Sequence, residues 1–192
     1  MKIFSFSTLP FLIALACSVG VAAAAPVQYK IDPNHTYPSF EADHKGGLSV
    51  WRGKFKKTSG SVMLDRDGKT GTVDIAIDVN SIDFGNELLN NHAKGPEIFD
   101  AVQFPFAVYK GQITFNGDSP AVVDGYLTLH GVTKPVRLTL NSFLCKPDGM
   151  TKIEVCGADA FGTFNRSDFG ISFGAGFKTE TALRIQVEAQ RQ

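Results

Sequence analysis

Residues Asp124–Leu140 read DGYLTLHGVTKPVRLTL, and two alternating runs in this stretch decide the fold. In the first run Gly125, Leu127 and Leu129 share one parity, while Asp124, Tyr126, Thr128 and His130 share the other. In the second, Val136, Leu138 and Leu140 alternate with Arg137 and Thr139. A period of two is the mark of strands with one buried and one wetted face. Gly131 to Pro135 holds the residues that turn a chain, so the unit predicts a hairpin with a longer loop. Pro135 has no N–H for a ladder and is expected at a strand end.

Outward from this hairpin the rhythm repeats. Tyr29–His44 predicts a first strand, with Pro38, Phe40, Ala42 and His44 on its inner parity. Lys45-Gly46-Gly47 ends it, and Trp51–Phe55 opens a second strand that runs on through Gly60, Val62 and Leu64. Val73, Ile75, Ile77 and Val79 alternate cleanly in a third. Residues 86–94 form the one credible helix, stopped by Gly95-Pro96, with a second short helical turn expected at Pro96–Phe99. Strands resume at residues 104–115 and 141–144, then at 153–165 and 181–188. About eight strands in a chain with no linker and no low-complexity segment predict an all-β, extended antiparallel barrel with one short helical excursion. Gly53, Gly60, Gly125 and Gly162 fall on the inward parity. They read either as room for a cavity or as bulges that let strands curve, and spacing does not separate the two.

The 192 residues suffice for one domain with a sizeable core. With 19 basic and 19 acidic residues there is no cationic surplus, so nucleic acid is not an expected partner. Residues 1–24 combine Lys2, an apolar run and small residues before Ala25, which is a secretory signal too short to span a bilayer. Cleavage after Ala24 leaves residues 25–192 as the mature domain. Leu15-Ala16-Cys17 offers a lipobox-like alternative, against which Ala14 stands where a bulky aliphatic is expected. With Cys17 removed, Cys145 and Cys156 remain. An even pair in an exported chain reads as a disulfide, worth about 2–3 kcal/mol for so short a loop.

Several motifs recur in order along the mature chain: YKIDPNH (29–35), FEADH (40–44), RGKF (52–55), NSID (80–83), His92–Asp100, GYLTLHGVTKPV (125–136) and FNRSDFGI (164–171). Together they resemble the YceI-like family of bacterial periplasmic polyisoprenoid-binding proteins. The resemblance implies a lipocalin-like barrel with a helical lid, a periplasmic location and an apolar tunnel for a polyprenyl or ubiquinone-type tail. The loop after His44, Lys-Gly-Gly-Leu-Ser-Val-Trp, departs from the more apolar pattern usual there, which leaves the headgroup open.

For such a ligand the wall candidates are Phe40, Phe55, Ile75, Ile77, Tyr109, Leu127, Leu129 and Phe164, each equally readable as plain core. His44 is a candidate for a quinone carbonyl or phosphate, although a bond to a backbone carbonyl is the simpler expectation. Arg166 offers a cation for an anionic headgroup, although a local pair with Asp168 is the simpler expectation. His92 reads as a capping or solvent-facing residue. No catalytic residue, metal site or cofactor is expected beyond a bound isoprenoid lipid or quinone. Gly170–Gly174 matches G-x-S-x-G, but a nucleophile elbow needs a strand-to-helix turn, and a strand follows Ser172 here. His35, His44, His92 and His130 have no ligand-like spacing. A lipid-modifying enzyme and a filled barrel serving a protein partner are the competing functions, and pairing of two barrels as a homodimer stays open.

Overall fold

The computed structural model describes residues 25–174 and 176–192. The signal segment expected over residues 1–24, with Cys17, lies outside them.

The strands are β1 (Val27–Ile31), β2 (Ser39–His44), β3 (Ser49–Phe55), β4 (Thr58–Asp65), β5 (Thr70–Asp78) and β6 (Ile82–Asp83). They continue with β7 (Phe106–Asn116), β8 (Ser119–Leu129), β9 (Val132–Pro147), β10 (Glu154–Asn165) and β11 (Glu180–Arg191), and helix α1 spans Glu87–Lys94. Order β1-β4-β5-β7-β8-β9-β10-β11 closes on itself through β1–β11, giving an eight-stranded antiparallel barrel. Closure removes the sheet edges that would otherwise recruit other chains.

Two expected strands are each split. The first is β1 and β2, which pair successively along the same flank of β11: Tyr29–Ile31 against Ala189–Arg191, and Ser39–Ala42 against Thr181–Arg184. The interruption at residues 32–38 is a turn in which the Asp32 carboxylate accepts from the Asn34 amide at 2.8 Å. The second is β3 and β4, separated at Lys56-Lys57, where the two amides donate to the Ser81 carbonyl and hydroxyl.

The central hairpin is tighter than its composition suggests. Leu129 pairs with Val132 across a two-residue turn, His130-Gly131, with φ of 51° and 75°. Two successive positive φ values are what a tight hairpin needs to match strand twist, and Gly131 adopts its value without strain. Pro135 therefore lies inside β9 rather than at its end, opposite Tyr126. Its position alternates with the hydrogen-bonded pairs, so the missing N–H faces away from β8, where β9 has no other strand until Thr139 meets Phe161.

Helix α1 matches the expected span. The Asn86 side chain caps it by accepting from the Leu89 amide at 3.1 Å. Pro96–Phe99 is a hydrogen-bonded turn rather than a second helical piece, since the Ile98 amide bonds back to Gly95 and the chain then leaves the helix axis.

The strand directions place β2–β3 turn, α1, the His130-Gly131 turn and the β10–β11 connection at one end of the barrel, the helix end. The opposite end carries the disulfide: Cys145 and Cys156 sit directly opposite each other on β9 and β10, with Cα atoms 4.0 Å apart. Outward parity carries cross-strand ion pairs, among them Arg137 forked onto Asp124 at 2.7 and 3.0 Å.

Candidate functional site

Inward parity encloses a cavity of about 560 Å³ running along the barrel. That is within the ~300–1,000 Å³ usual for small-molecule sites. All eight wall candidates named from sequence line it, Phe40, Phe55, Ile75, Ile77, Tyr109, Leu127, Leu129 and Phe164, as does the headgroup candidate His44. β5, β7 and β8 place Ile75, Tyr109 and Leu127 side by side, because Ile75 pairs with Tyr109 and Tyr109 with Leu127.

Toward the helix end the wall becomes aromatic. Phe40 meets Phe55, Phe84 and Phe99 with ring centroids 5.9, 5.7 and 6.1 Å apart, and Phe55 meets Phe99 at 5.7 Å. Tilted and edge-on geometries suit ring quadrupoles and leave a surface that adapts to an apolar chain. Phe164 packs edge-on against the buried Phe169 at 5.2 Å.

The inward glycines do not open the cavity. A Cβ on Gly125 would stand 2.6 Å from the Tyr109 ring, and one on Gly53 2.7 Å from the Phe40 ring, so aromatic rings already fill these spaces. At Gly162 the Arg137 carbonyl and Leu138 side chain approach. At Gly60 φ is +134° and the Asp74 carbonyl occupies the Cβ position. Small side chains also line the lumen, at Ala42, Ala107, Ala158 and Ala160.

Tyr109 spans the wall over Gly125 and directs its hydroxyl to the Val123 and Val136 carbonyls at 3.2 and 2.9 Å. Burial pushes this phenol well above its ordinary value, so it stays a neutral donor.

The charged lining residues among those described are Asp43, Lys45 and Arg166, and all three lie at the helix end with His44 and His92. Exposed Lys45 and Phe173 mark where the lining reaches solvent. His44 stacks on Trp51 at 4.0 Å and meets Phe177 edge-on at 5.6 Å, with Nδ1 3.4 Å from the Ser49 hydroxyl. Its bond is thus to a hydroxyl rather than to the backbone carbonyl considered above. His92 is exposed, as expected, and its carbonyl accepts the Gly95 amide that ends the helix. It lines the cavity from α1, with its ring 4.8 Å from Phe173. Asp43 accepts the Gly46 and Lys178 amides at 2.9 Å each, tying the β2–β3 turn to the β10–β11 connection. The Lys178 amide, foremost among these donors, holds its carboxyl below the usual range.

Arg166 does not pair with Asp168. It stands at the start of the 3₁₀ turn Arg166–Phe169, and its Nη1 donates to the Ile171 carbonyl at 2.9 Å. Burial lowers its pKa, opposed by the charge of Asp43. A guanidinium remains protonated at any accessible pH, so the burial is a cost carried by a charge.

Ser172 precedes a strand, not a helix, as the elbow geometry would require. His35 pairs with Asp32 at 2.7 Å and His130 with the Phe169 carbonyl at 3.1 Å, away from the other two histidines' contacts. Among the described residues no group of His, Cys, Asp and Glu is placed to hold a metal ion. None of their helices is long and apolar enough to cross a membrane.

Sequence reading missed the contribution of β11 and of the helical cover. Leu183, Ile185 and Val187 line the cavity and were legible, since their alternation is as clean as that of β5. Phe84, Leu89 and Phe99 line it too, but they sit outside any strand and carried no periodic signal.

A family model described as YceI-like domain matches residues 29–190. Protein YceI of Salmonella arizonae is 30% identical over 185 residues, covering 94% of this chain and 95% of its own, and that of Salmonella heidelberg gives the same values. Among solved structures, Burkholderia cenocepacia BcnA is similar with a TM-score of 0.68 and 25% identity, over 83% of this chain and 99% of its own. A polyisoprenoid binding domain from Saccharophagus degradans, implicated in plant cell wall breakdown, shares the fold at a TM-score of 0.61 and 15% identity. The match covers 86% of this chain and 99% of that one.

Proposed function

The chain belongs to the YceI-like family, and on that footing we propose that it binds a long isoprenoid lipid, a polyprenyl or ubiquinone-type tail, inside the barrel. The observation that carries this reading is the distribution of polarity: a 560 Å³ lumen walled by rings and branched side chains, with every charged lining residue gathered at one end. An isoprenoid chain offers only apolar surface, and burying it gains about 25 cal/mol per Å². A wall of Phe, Ile, Leu and Val meets such a chain with dispersion contacts and needs no polar matching. A polar head is then left where Asp43, His44, Lys45, His92 and Arg166 stand. The fold relative described as polyisoprenoid binding supports the same ligand class.

The role is binding and carriage, without turnover. Export through residues 1–24 would place the carrier in the periplasm, where a lipid leaving one membrane needs shelter from water. The mature chain then starts at Ala25, which N-terminal sequencing of the periplasmic protein checks.

Ala158, on β10 between Phe143 and Val187, lines the lumen toward the disulfide end and provides the test. Ala158→Phe fills the tail's path with a ring. The account expects at least about a tenfold loss of affinity for geranylgeraniol, read by quenching of Trp51, with the far-UV spectrum unchanged. Unchanged affinity would place the lipid elsewhere.

A further inference from the structure

Arg166 is held for a purpose that the apolar cavity does not explain. Its side chain lines the lumen and is half-buried, and its main-chain amide donates to the Thr179 carbonyl at 2.9 Å. The guanidinium spends one N–H on the Ile171 carbonyl. Among the described residues it makes no other hydrogen bond, and no carboxylate lies within 4.0 Å of it. Among the described lining residues the buried Thr58 hydroxyl also lacks a partner, but it carries no charge. Asp43, the carboxylate that acts on Arg166 electrostatically, is occupied by the Gly46 and Lys178 amides. Lys45 is exposed.

A desolvated cation with unspent N–H groups favours an oxyanion, because a guanidinium fork meets two oxygens at once and charge-assisted bonds are the strong ones. A quinone or alcohol head would accept a hydrogen bond but would leave the charge uncompensated. We propose that Arg166 anchors a phosphate or pyrophosphate head on the prenyl lipid, so that the ligand class is the acidic polyprenyl lipids rather than neutral quinones or alcohols. This rests on the carrier reading and narrows it. Arg166 positions the head at the mouth, and its bond to Ile171 fixes the fork relative to the connection that Asp43 ties down.

The test compares farnesyl phosphate with farnesol, which share a tail and differ in the head, with Trp51 fluorescence as the readout. The expected result is a preference of about tenfold or more for the phosphate in the wild-type protein. Arg166→Gln should bring the phosphate-over-alcohol ratio close to one, and Arg166→Lys should keep part of the preference. Equal binding of the two lipids by the wild type, or a preference that survives Arg166→Gln, overturns the proposal and leaves the carrier reading intact. Inorganic phosphate bound as tightly as farnesyl phosphate would also overturn it, by making the site one for free anion. Failure of both lipids to bind would remove the carrier reading itself. Should Arg166→Gln not fold, the wild-type preference and Arg166→Lys decide the matter.

Discussion

Tyr109 and Gly125 illustrate how single residues shape the lumen. A ring on β7 leans across an inward glycine on β8, and its hydroxyl reaches the carbonyls of two strands. The glycine is present because the ring needs the space, the arrangement by which an aromatic side chain covers a strand glycine. Gly125→Ala would press a Cβ to 2.6 Å of the Tyr109 ring and its hydroxyl oxygen. The account predicts a loss of about 1–3 kcal/mol, read by urea denaturation, from the displaced ring and its stretched hydrogen bonds. Stability equal to the wild type would mean that the ring has room to move and does not brace the wall. From sequence, an inward glycine looked the same whether it faced a void, a bulge or a ring. Only the position of the cross-strand neighbour separates those cases.

At the scale of elements, the disulfide end is held by groups contributed from β1, the β4–β5 turn and β10. The Tyr29 hydroxyl donates to Glu154 at 2.5 Å, and Arg66 Nη2 lies 2.9 Å from the same carboxylate and 2.8 Å from the Tyr29 hydroxyl. The Tyr29 hydrogen bond, followed by Arg66, lowers the Glu154 pKa, while burial and then Glu154 raise that of Tyr29. A depressed carboxyl pKa contributes stability that is present above its unfolded value, about 4.3, and lost as pH falls through the lower folded one. A raised phenol contributes stability present below about 10 and lost as pH rises through its higher folded value. Glu154→Gln should therefore lower Tm by a steady amount between about pH 5 and pH 9, with the gap closing below about pH 4. A gap that persists to pH 2 would show that the carboxylate charge is not what binds this end. The expected disulfide joins the same region, and it was legible because reading residues 1–24 as an export signal left Cys145 and Cys156 as an even pair. The split of the first two strands left a signal that went unread. Inward Tyr29 and Ile31 are odd-numbered and inward Phe40 and Ala42 even-numbered, and Trp51 and Phe55 differ in parity from Val62 and Leu64 in the same way, so one unbroken strand could not face all of them inward.

For the whole molecule, the alternation of residues 124–140 carried the barrel, because closure follows from strand number and one buried face per strand. Strand interiors read well for the same reason, and the eight wall residues named from parity all reach the cavity. The helix end did not read well. Its rings and charges come from turns, a capped helix and a connection, which have no period, and their convergence is a matter of tertiary placement. The pairing of Arg166 was misjudged on that account: Asp168 is near in sequence, yet the 3₁₀ turn sends the guanidinium to Ile171 instead. A barrel with an apolar lumen and its charges at one mouth would take an amphiphile tail-first, as proposed above. The most direct test is native mass spectrometry of protein purified without detergent from the cell envelope, with extraction and fragmentation of any bound species. The account predicts one stoichiometric lipid per barrel that fragments by successive isoprene units. Protein that comes through empty, and stays empty after incubation with polyprenyl phosphates and prenyl quinones, would contradict it.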